Sequence, residues 1–435
     1  MSRSWGDSRG RHTPDRRRRP VRRRTLATLL TGLAVLAVLI ASGSMAVADG
    51  RIGESIARGI SSAVDGFGPG PRAAPAVPVT RSTTPRPGPP VAPRGPAQVF
   101  VTDGTLEGVA LTGDGVDGEG GPVPGGLSPD GRTWTATAPL DYATTYRWSG
   151  TWVIGDEPRP LPEDAFTTVD PATTITGTMN IRDGGTVGVA APVVLSFPAS
   201  LSDEAKATVE EELTVETSAP VEGGWAWLPD TAEGSRVHYR PREYWPSGTE
   251  VTVRGTLRGL DLGEAGWVTD DVDRTFSIGP TRITRADTQS HGITVIEDGK
   301  EIARYDASYG LESDPRRVTR SGVHVVMAKS ETVYMSNPDY GYVNERHHWA
   351  VRISNNGEFI HANPGSTYAQ GNSNVSHGCI NLSTRDAQEY FGLVEFGDPV
   401  EVVGSSQPLT ERDGDFYDWT IPWEDWLSMS ALARP

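Results

Sequence analysis

The 435-residue chain contains a single cysteine, Cys379. One thiol forms no intramolecular disulfide, and no C-x-x-C or H-E-x-x-H accompanies it to suggest a zinc site. Apolar residues make up 36% of the chain and aromatics 8%, against 50 glycines and 34 prolines. So turn-rich and thinly apolar a composition argues against helical bundles and for several β-rich units. Basic charge is also scarce outside the first residues. The net charge is −16, and the N-terminal 24 residues alone contribute +8, which leaves about −24 on the remainder. A body that acidic is a poor partner for polyanions, and no nucleic acid is expected.

Residues 1–24 carry ten arginines against Asp7 and Asp15 and read as a basic cytoplasmic segment. The uncharged run 25–48 is long enough, at ~1.5 Å per residue, to span a bilayer core of about 30 Å. Arginines before a span hold that end in the cytoplasm, so everything that follows is placed outside. The run is longer than a usual signal-peptide core and is read as an uncleaved anchor. A cleaved signal peptide is the alternative, since Ala46-Val47-Ala48 has the small-x-small form. Either exports the rest, and no cysteine at the end of the run permits lipid anchoring.

Residues 49–97 turn to Pro, Ala, Arg, Thr and Gly, with Thr84-Pro85-Arg86-Pro87-Gly88-Pro89-Pro90 at the centre, and are expected to form a disordered, extended stalk. Short alternating runs separated by Gly, Asp and Pro then predict two immunoglobulin-like β-sandwiches, over 98–170 and 171–280. An echo between them suggests duplication: Pro139-Leu140-Asp141-Tyr142 leads to Ser149-Gly150-Thr151, and Pro241-Arg242-Glu243-Tyr244 leads to Ser247-Gly248-Thr249. Trp225, Trp227 and Trp245 are read as core residues rather than as a sugar-binding face. The third unit, 281–404, is again β-rich. Asp298-Gly299 marks a hairpin, Asn355-Asn356-Gly357 a tight turn that puts His361 at a strand end, and Ser383-Thr384-Arg385-Asp386 caps its one main helix. The tail 405–435 holds Phe416, Tyr417, Trp419, Trp423 and Trp426, enough aromatics to pack on the body.

Cys379 lies in Ser376-His377-Gly378-Cys379-Ile380-Asn381, fifteen residues beyond Ile360-His361-Ala362-Asn363-Pro364 if counted from the Ser376 hydroxyl back to His361. A free thiol of pKa about 8.5 is only a few per cent ionised at neutral pH, so a cysteine nucleophile needs a base beside it. His361 and His377 are both candidates, and spacing alone does not choose between them. Gly378 allows a sharp backbone turn that could aim the Gly378 and Cys379 amides at an oxyanion. A buried structural thiol is disfavoured by the polar Gly/Asn/Ser setting. The sequons at Asn374 and Asn381 are read as accidents of that loop, and His347-His348 as a solvated pair.

The His…S-H-G-C-hydrophobic-N pattern resembles that of the L,D-transpeptidases with a YkuD-type catalytic domain, in the actinobacterial form with tandem immunoglobulin-like domains. The resemblance implies a mainly β architecture and a transferase, without cofactor or metal, that joins peptidoglycan stem peptides between two diaminopimelate residues through a cysteinyl acyl-enzyme. Hydrolysis of the same bond, an L,D-carboxypeptidase activity, is the alternative. It implies Cys379 as nucleophile and His361 as base, with the Ala362 carbonyl fixing the tautomer. His377 would shape the site and help donate protons, as a third catalytic residue, and Ser376 and Gly378 would support the turn. Asn381 and Tyr340 match substrate-contacting positions, Asn356 and Gly357 match a backbone contact to the donor stem, Met327 matches a pocket-wall residue, and carbapenems are implied as covalent inhibitors. The sequence departs from the family pattern at Gly365, where relatives carry a bulky aromatic, and at Thr319-Arg320-Ser321-Gly322, where T-P-x-G is usual.

Overall fold

Short runs such as Gln98–Val101 and Thr133–Ala136 alternate inward and outward side chains, and a run of that kind can bury one face only by pairing with others into a sheet. The computed structural model describes residues 81–114, 120–413 and 416–433. The basic segment, the proposed anchor and the first part of the proline-rich stretch lie outside the described residues. No helix among the described residues is long and apolar enough to cross a membrane.

In the first sandwich one sheet is ordered Arg81–Thr84, Gln98–Val101, Thr133–Ala136, Gly125–Leu127. The facing sheet contains Thr105–Asp114, Thr145–Ile154, Glu157–Pro160 and Ala165–Thr167. Val99, Val101, Leu111 and the edge-to-face pair Trp134 and Trp148, with ring centroids 5.5 Å apart, fill the space between them. The expected stalk does not run to residue 97. Arg81–Thr84 pairs antiparallel with Gln98–Val101, and Val91 bridges to Thr168. The connecting prolines therefore cross the sandwich as a loop.

The second sandwich faces the sheet Thr178–Met179, Val193–Phe197, Gly234–Pro241, Gly223–Thr231 against Thr186–Val187, Val272–Ile278, Glu250–Gly255, Leu213–Thr217. Trp245 and Trp227 are buried in its core and Trp225 packs against it, consistent with a packing role. The duplicated echo is only partly structural. The two Pro-x-x-Tyr segments each precede a long strand, but Gly150 lies within Thr145–Ile154 whereas Gly248 sits in the turn before Glu250–Gly255.

The aromatic tail closes over this second sandwich. Trp419, Trp423 and Trp426 surround the buried Arg240 guanidinium at 4.9, 5.2 and 4.6 Å from its carbon to their ring centroids. Trp426 Nε1 donates to Gly224 O at 2.9 Å, and Asp418 meets His238 Nδ1 at 2.8 Å with both side chains fully buried.

The third unit stacks two sheets around a helix. The five-stranded sheet runs Lys300–Asp306, Gly292–Glu297, Arg282–Asp287, Pro399–Val403, Gly322–Val325. Its first hairpin turns on Asp298 and Gly299, both at positive φ (49° and 78°), the conformation that a two-residue loop of matching twist requires. The four-stranded sheet runs Ala328–Asn337, Tyr342–Arg352, Phe359–Ala362, Ile380–Leu382. The helix Thr384–Leu393 starts at Ser383, whose hydroxyl accepts the Asp386 N–H at 3.1 Å, and it buries Ala387 and Tyr390 against Ile360, Ile380 and Leu382. This core fixes the strand ends from which the reactive side chains project.

Candidate active site

His361 and Cys379 come from neighbouring strands. Phe359–Ala362 and Ile380–Leu382 pair in parallel with Ile360 opposite Ile380 and His361 opposite Asn381, so Cys379 enters the sheet one residue before that pairing begins. The turn that delivers it is held by Ser376. Its hydroxyl donates to Cys379 O at 2.6 Å and accepts the Gly378 N–H at 3.1 Å, while its amide donates to Tyr309 O at 3.0 Å. Gly378 sits at φ 118°, a conformation a side chain would strain. Its carbonyl accepts from Thr319 Oγ1 at 2.8 Å. The Gly378 N–H is already bonded to the Ser376 hydroxyl, so it does not face an oxyanion in this arrangement.

The imidazole of His361 is buried, and its Nδ1 lies 3.0 Å from Ala362 O. A carbonyl only accepts, so Nδ1 carries the proton and Nε2 the lone pair. Burial lowers the His361 pKa to about 4, with the neighbouring His347, ring centroid 4.4 Å away, adding to the effect and the Ala362 bond opposing it. Burial also pushes the Cys379 thiol up to about 12, against a backbone contact from Phe359 that lowers it, and the Glu358 charge raises it further. The thiol donates to Gly357 O at 3.5 Å. The resting pair is therefore a neutral thiol and a neutral imidazole, and proton transfer must accompany attack.

Both groups open into a cavity of about 400 Å³, also lined by His377, Ser376, Asn381 and Tyr340. His377 is exposed and lies against Tyr340 and Tyr342, with ring centroids at 4.7 and 5.5 Å. Arg316 and Arg317 lie 5.5 and 5.8 Å from the Tyr340 ring centroid. Gly365 lines the same cavity where a bulkier residue would fill it. Met327 does not line it: it lies at the start of the hairpin with its amide bonded to Arg352 O, and Met335 occupies the wall instead. Asn356 is held by its neighbours, its backbone amide donating to Asp413 O at 3.1 Å. Its Nδ2 donates to Asp413 Oδ1 at 3.3 Å and its Oδ1 accepts from Ser354, so only the Gly357 carbonyl of that turn reaches the thiol. His347 is not a solvated loop residue but part of Tyr342–Arg352, half-buried against His361. Sequence reading missed Met335, Glu345 and His347. The period-two alternation of Glu345 and His347 was a signal that these two share a face.

The departure at Arg320 has a structural role. Its Nε meets Asp413 Oδ1 at 2.6 Å and its Nη1 meets Glu358 Oε1 at 3.2 Å, so a residue of the C-terminal tail is tied to the strand that faces the thiol. Thr319 keeps its hold on Gly378 regardless. Because the Glu358 charge raises the thiol pKa, Glu358→Gln should lower it, and alkylation by iodoacetamide at fixed pH should accelerate roughly two- to fivefold. In both proteins the alkylation rate should keep climbing with pH between 7 and 10. A plateau near 8.5 would contradict the raised pKa.

A family model described as the L,D-transpeptidase catalytic domain matches residues 281–402, and one described as a bacterial Ig domain matches 89–261 across both sandwiches. L,D-transpeptidase 5 of Mycobacterium tuberculosis is 47% identical over 346 residues, covering 79% of this chain and 75% of that protein. The chain belongs to the L,D-transpeptidase family. L,D-transpeptidase 2 of the same species is 33% identical, covering 78% of this chain and 81% of that one. A solved L,D-transpeptidase in complex with imipenem is 32% identical, with a TM-score of 0.44 over 53% of this chain and 99% of that one. Among the described residues of this L,D-transpeptidase no group of His, Cys, Asp and Glu is arranged to hold a metal ion.

Proposed function

We propose that this L,D-transpeptidase cross-links peptidoglycan between two diaminopimelate residues through a thioester on Cys379. The observation that carries the reading is a half-buried thiol and a neutral, tautomer-fixed imidazole on adjacent parallel strands, opening into one cavity. His361 Nε2 takes the thiol proton as sulfur attacks the carbonyl of diaminopimelate in a tetrapeptide stem. The Cys379 amide stabilises the oxyanion, the C–N bond to D-Ala breaks, and His361 returns the proton to the departing amine. An amine of a second stem then takes the acyl group. Asn381 and Tyr340 contact the donor stem, His377 shapes the cavity against Tyr340, and the Gly357 carbonyl holds the thiol in the resting state.

The arginine-rich start and the uncharged run 25–48 support a single-pass anchor with the catalytic unit outside the cytoplasmic membrane, secretion after cleavage being the other route outward. A thiol that attacks a stem carbonyl also opens a strained β-lactam, so carbapenems are proposed as covalent inhibitors. Mass spectrometry of products from purified tetrapeptide-containing fragments tests the reading. Cross-linked dimers that lack the donor's D-Ala are expected. Shortened monomers alone would make the protein an L,D-carboxypeptidase, and no change in the fragments would remove both.

A further inference from the structure

The acyl-enzyme needs a second substrate, and the wall of the cavity carries a charge that suits it. Of the residues lining the cavity, Glu345 is the sole carboxylate, and no lysine or arginine is among them. It stands on Tyr342–Arg352 directly across from Met335 on Ala328–Asn337, with its side chain 57% exposed. Its neighbour is His347, whose Nε2 lies 3.7 Å from Glu345 Oε2, too far for a hydrogen bond. His347 also faces the Ala362 carbonyl, and its ring packs at 4.4 Å between centroids on that of His361. One carboxylate and one imidazole nitrogen thus lie side by side near the base, in a cavity whose own lining holds no lysine or arginine. Burial lowers the His347 pKa, with Glu345 acting the other way, so the imidazole is neutral at pH 7 and leaves the carboxylate unneutralised.

We propose that Glu345 and His347 form the acceptor half of the site, Glu345 binding the side-chain ammonium of the incoming stem and His347 taking one proton from it. The inference rests on the transpeptidase reading above and adds the second substrate's site to it. In water an aliphatic amine is protonated and has no lone pair for attack. A carboxylate gathers the cation, and a neutral imidazole beside it removes the proton at the point of use. The free amine then attacks the thioester carbonyl, forming the C–N bond. The C–S bond breaks, the nitrogen loses its second proton to His361, and that proton returns to the Cys379 thiolate. The first proton leaves from His347 to solvent, so an ammonium and a thioester become an amide, a thiol and one released proton.

The test separates the two half-reactions on the full chain. Thioester formation is followed by intact mass, and aminolysis by the ratio of dimer to hydrolysed stem over a range of acceptor concentrations. Wild-type and Glu345→Gln proteins are each given a stem acceptor or hydroxylamine, a nucleophile uncharged at neutral pH. Expected for Glu345→Gln are an unchanged rate of thioester formation, an acceptor KM raised about tenfold or more, and a dimer-to-hydrolysis ratio lowered to match, with hydroxylamine used as well as by wild type. Glu345→Asp should recover part of the loss. An unchanged acceptor KM in Glu345→Gln, or an equal loss with stem and hydroxylamine, overturns the acceptor site while leaving the transpeptidase reading in place. A wild-type protein that acylates but yields no dimer with any stem overturns that reading and the acceptor site with it.

Discussion

Cys379→Ala should yield a folded protein that gains no mass from donor stems or carbapenems and makes no dimer, a loss on the order of 10⁶-fold if it follows other enzymes stripped of their nucleophile. The thiol is half-buried at the mouth of the sheet rather than in the apolar core formed by Ile360, Ile380, Leu382 and Tyr390. Its hydrogen bond is a long one, 3.5 Å to Gly357 O, so removing it sacrifices little native structure. Ser376 holds the turn through backbone atoms of Gly378 and Cys379 that alanine retains. Thermal unfolding should therefore match wild type within a degree or two, an expectation based on the small changes usual for such substitutions. Dimer formation by the alanine protein at more than a trace would remove Cys379 from the mechanism.

The reactive turn was legible because its parts are close in sequence. Ser376, His377, Gly378 and Cys379 form one turn, and a strand ending at His361 follows from the Asn-Asn-Gly turn before it. Contacts that depend on register were not legible. Met335 lies opposite Glu345 only because the hairpin Ala328–Asn337/Tyr342–Arg352 pairs in one particular way. The Arg320 bridge between Glu358 and Asp413 joins residues far apart in the chain, which local pattern cannot place. Arg81–Thr84 escaped for a different reason. It is an edge strand with only Thr83 buried, so it carries almost no hydrophobic alternation and resembles the proline-rich stretch around it. The helix and the aromatic tail were legible because both state their partners in composition: a capping serine with apolar residues at helical spacing, and five aromatics that could not remain in water.

His361→Ala should slow acylation by about 10²- to 10⁴-fold, the range typical of losing a general base. With burial holding the thiol pKa above its ordinary value, very little of it is thiolate at pH 7, so attack depends on a base that takes the proton in the same step. His361 is suited to that work because its pKa of about 4 keeps it unprotonated, and the 3.0 Å bond from Nδ1 to Ala362 O leaves Nε2 free. The pH dependence follows with a definite sign. Wild-type acylation should hold its rate as pH falls from 7 toward 5 and decline only as the base protonates near 4, whereas an ordinary histidine would decline near 6.5. In His361→Ala that acid limb should vanish, leaving a small rate that rises about tenfold per pH unit with the thiolate fraction. Because alanine also leaves a cavity at a buried position, His361→Gln provides the control: it keeps bulk and an amide donor for Ala362 O but has no basic nitrogen, and should be equally slow. His377→Ala removes an exposed ring that lies tilted against Tyr340 and should cost less than about tenfold, expressed mainly in KM for the donor. If instead His377→Ala lost the acid limb while His361→Ala retained it, the base would be His377, and the tautomer fixed by Ala362 would have no part in the chemistry.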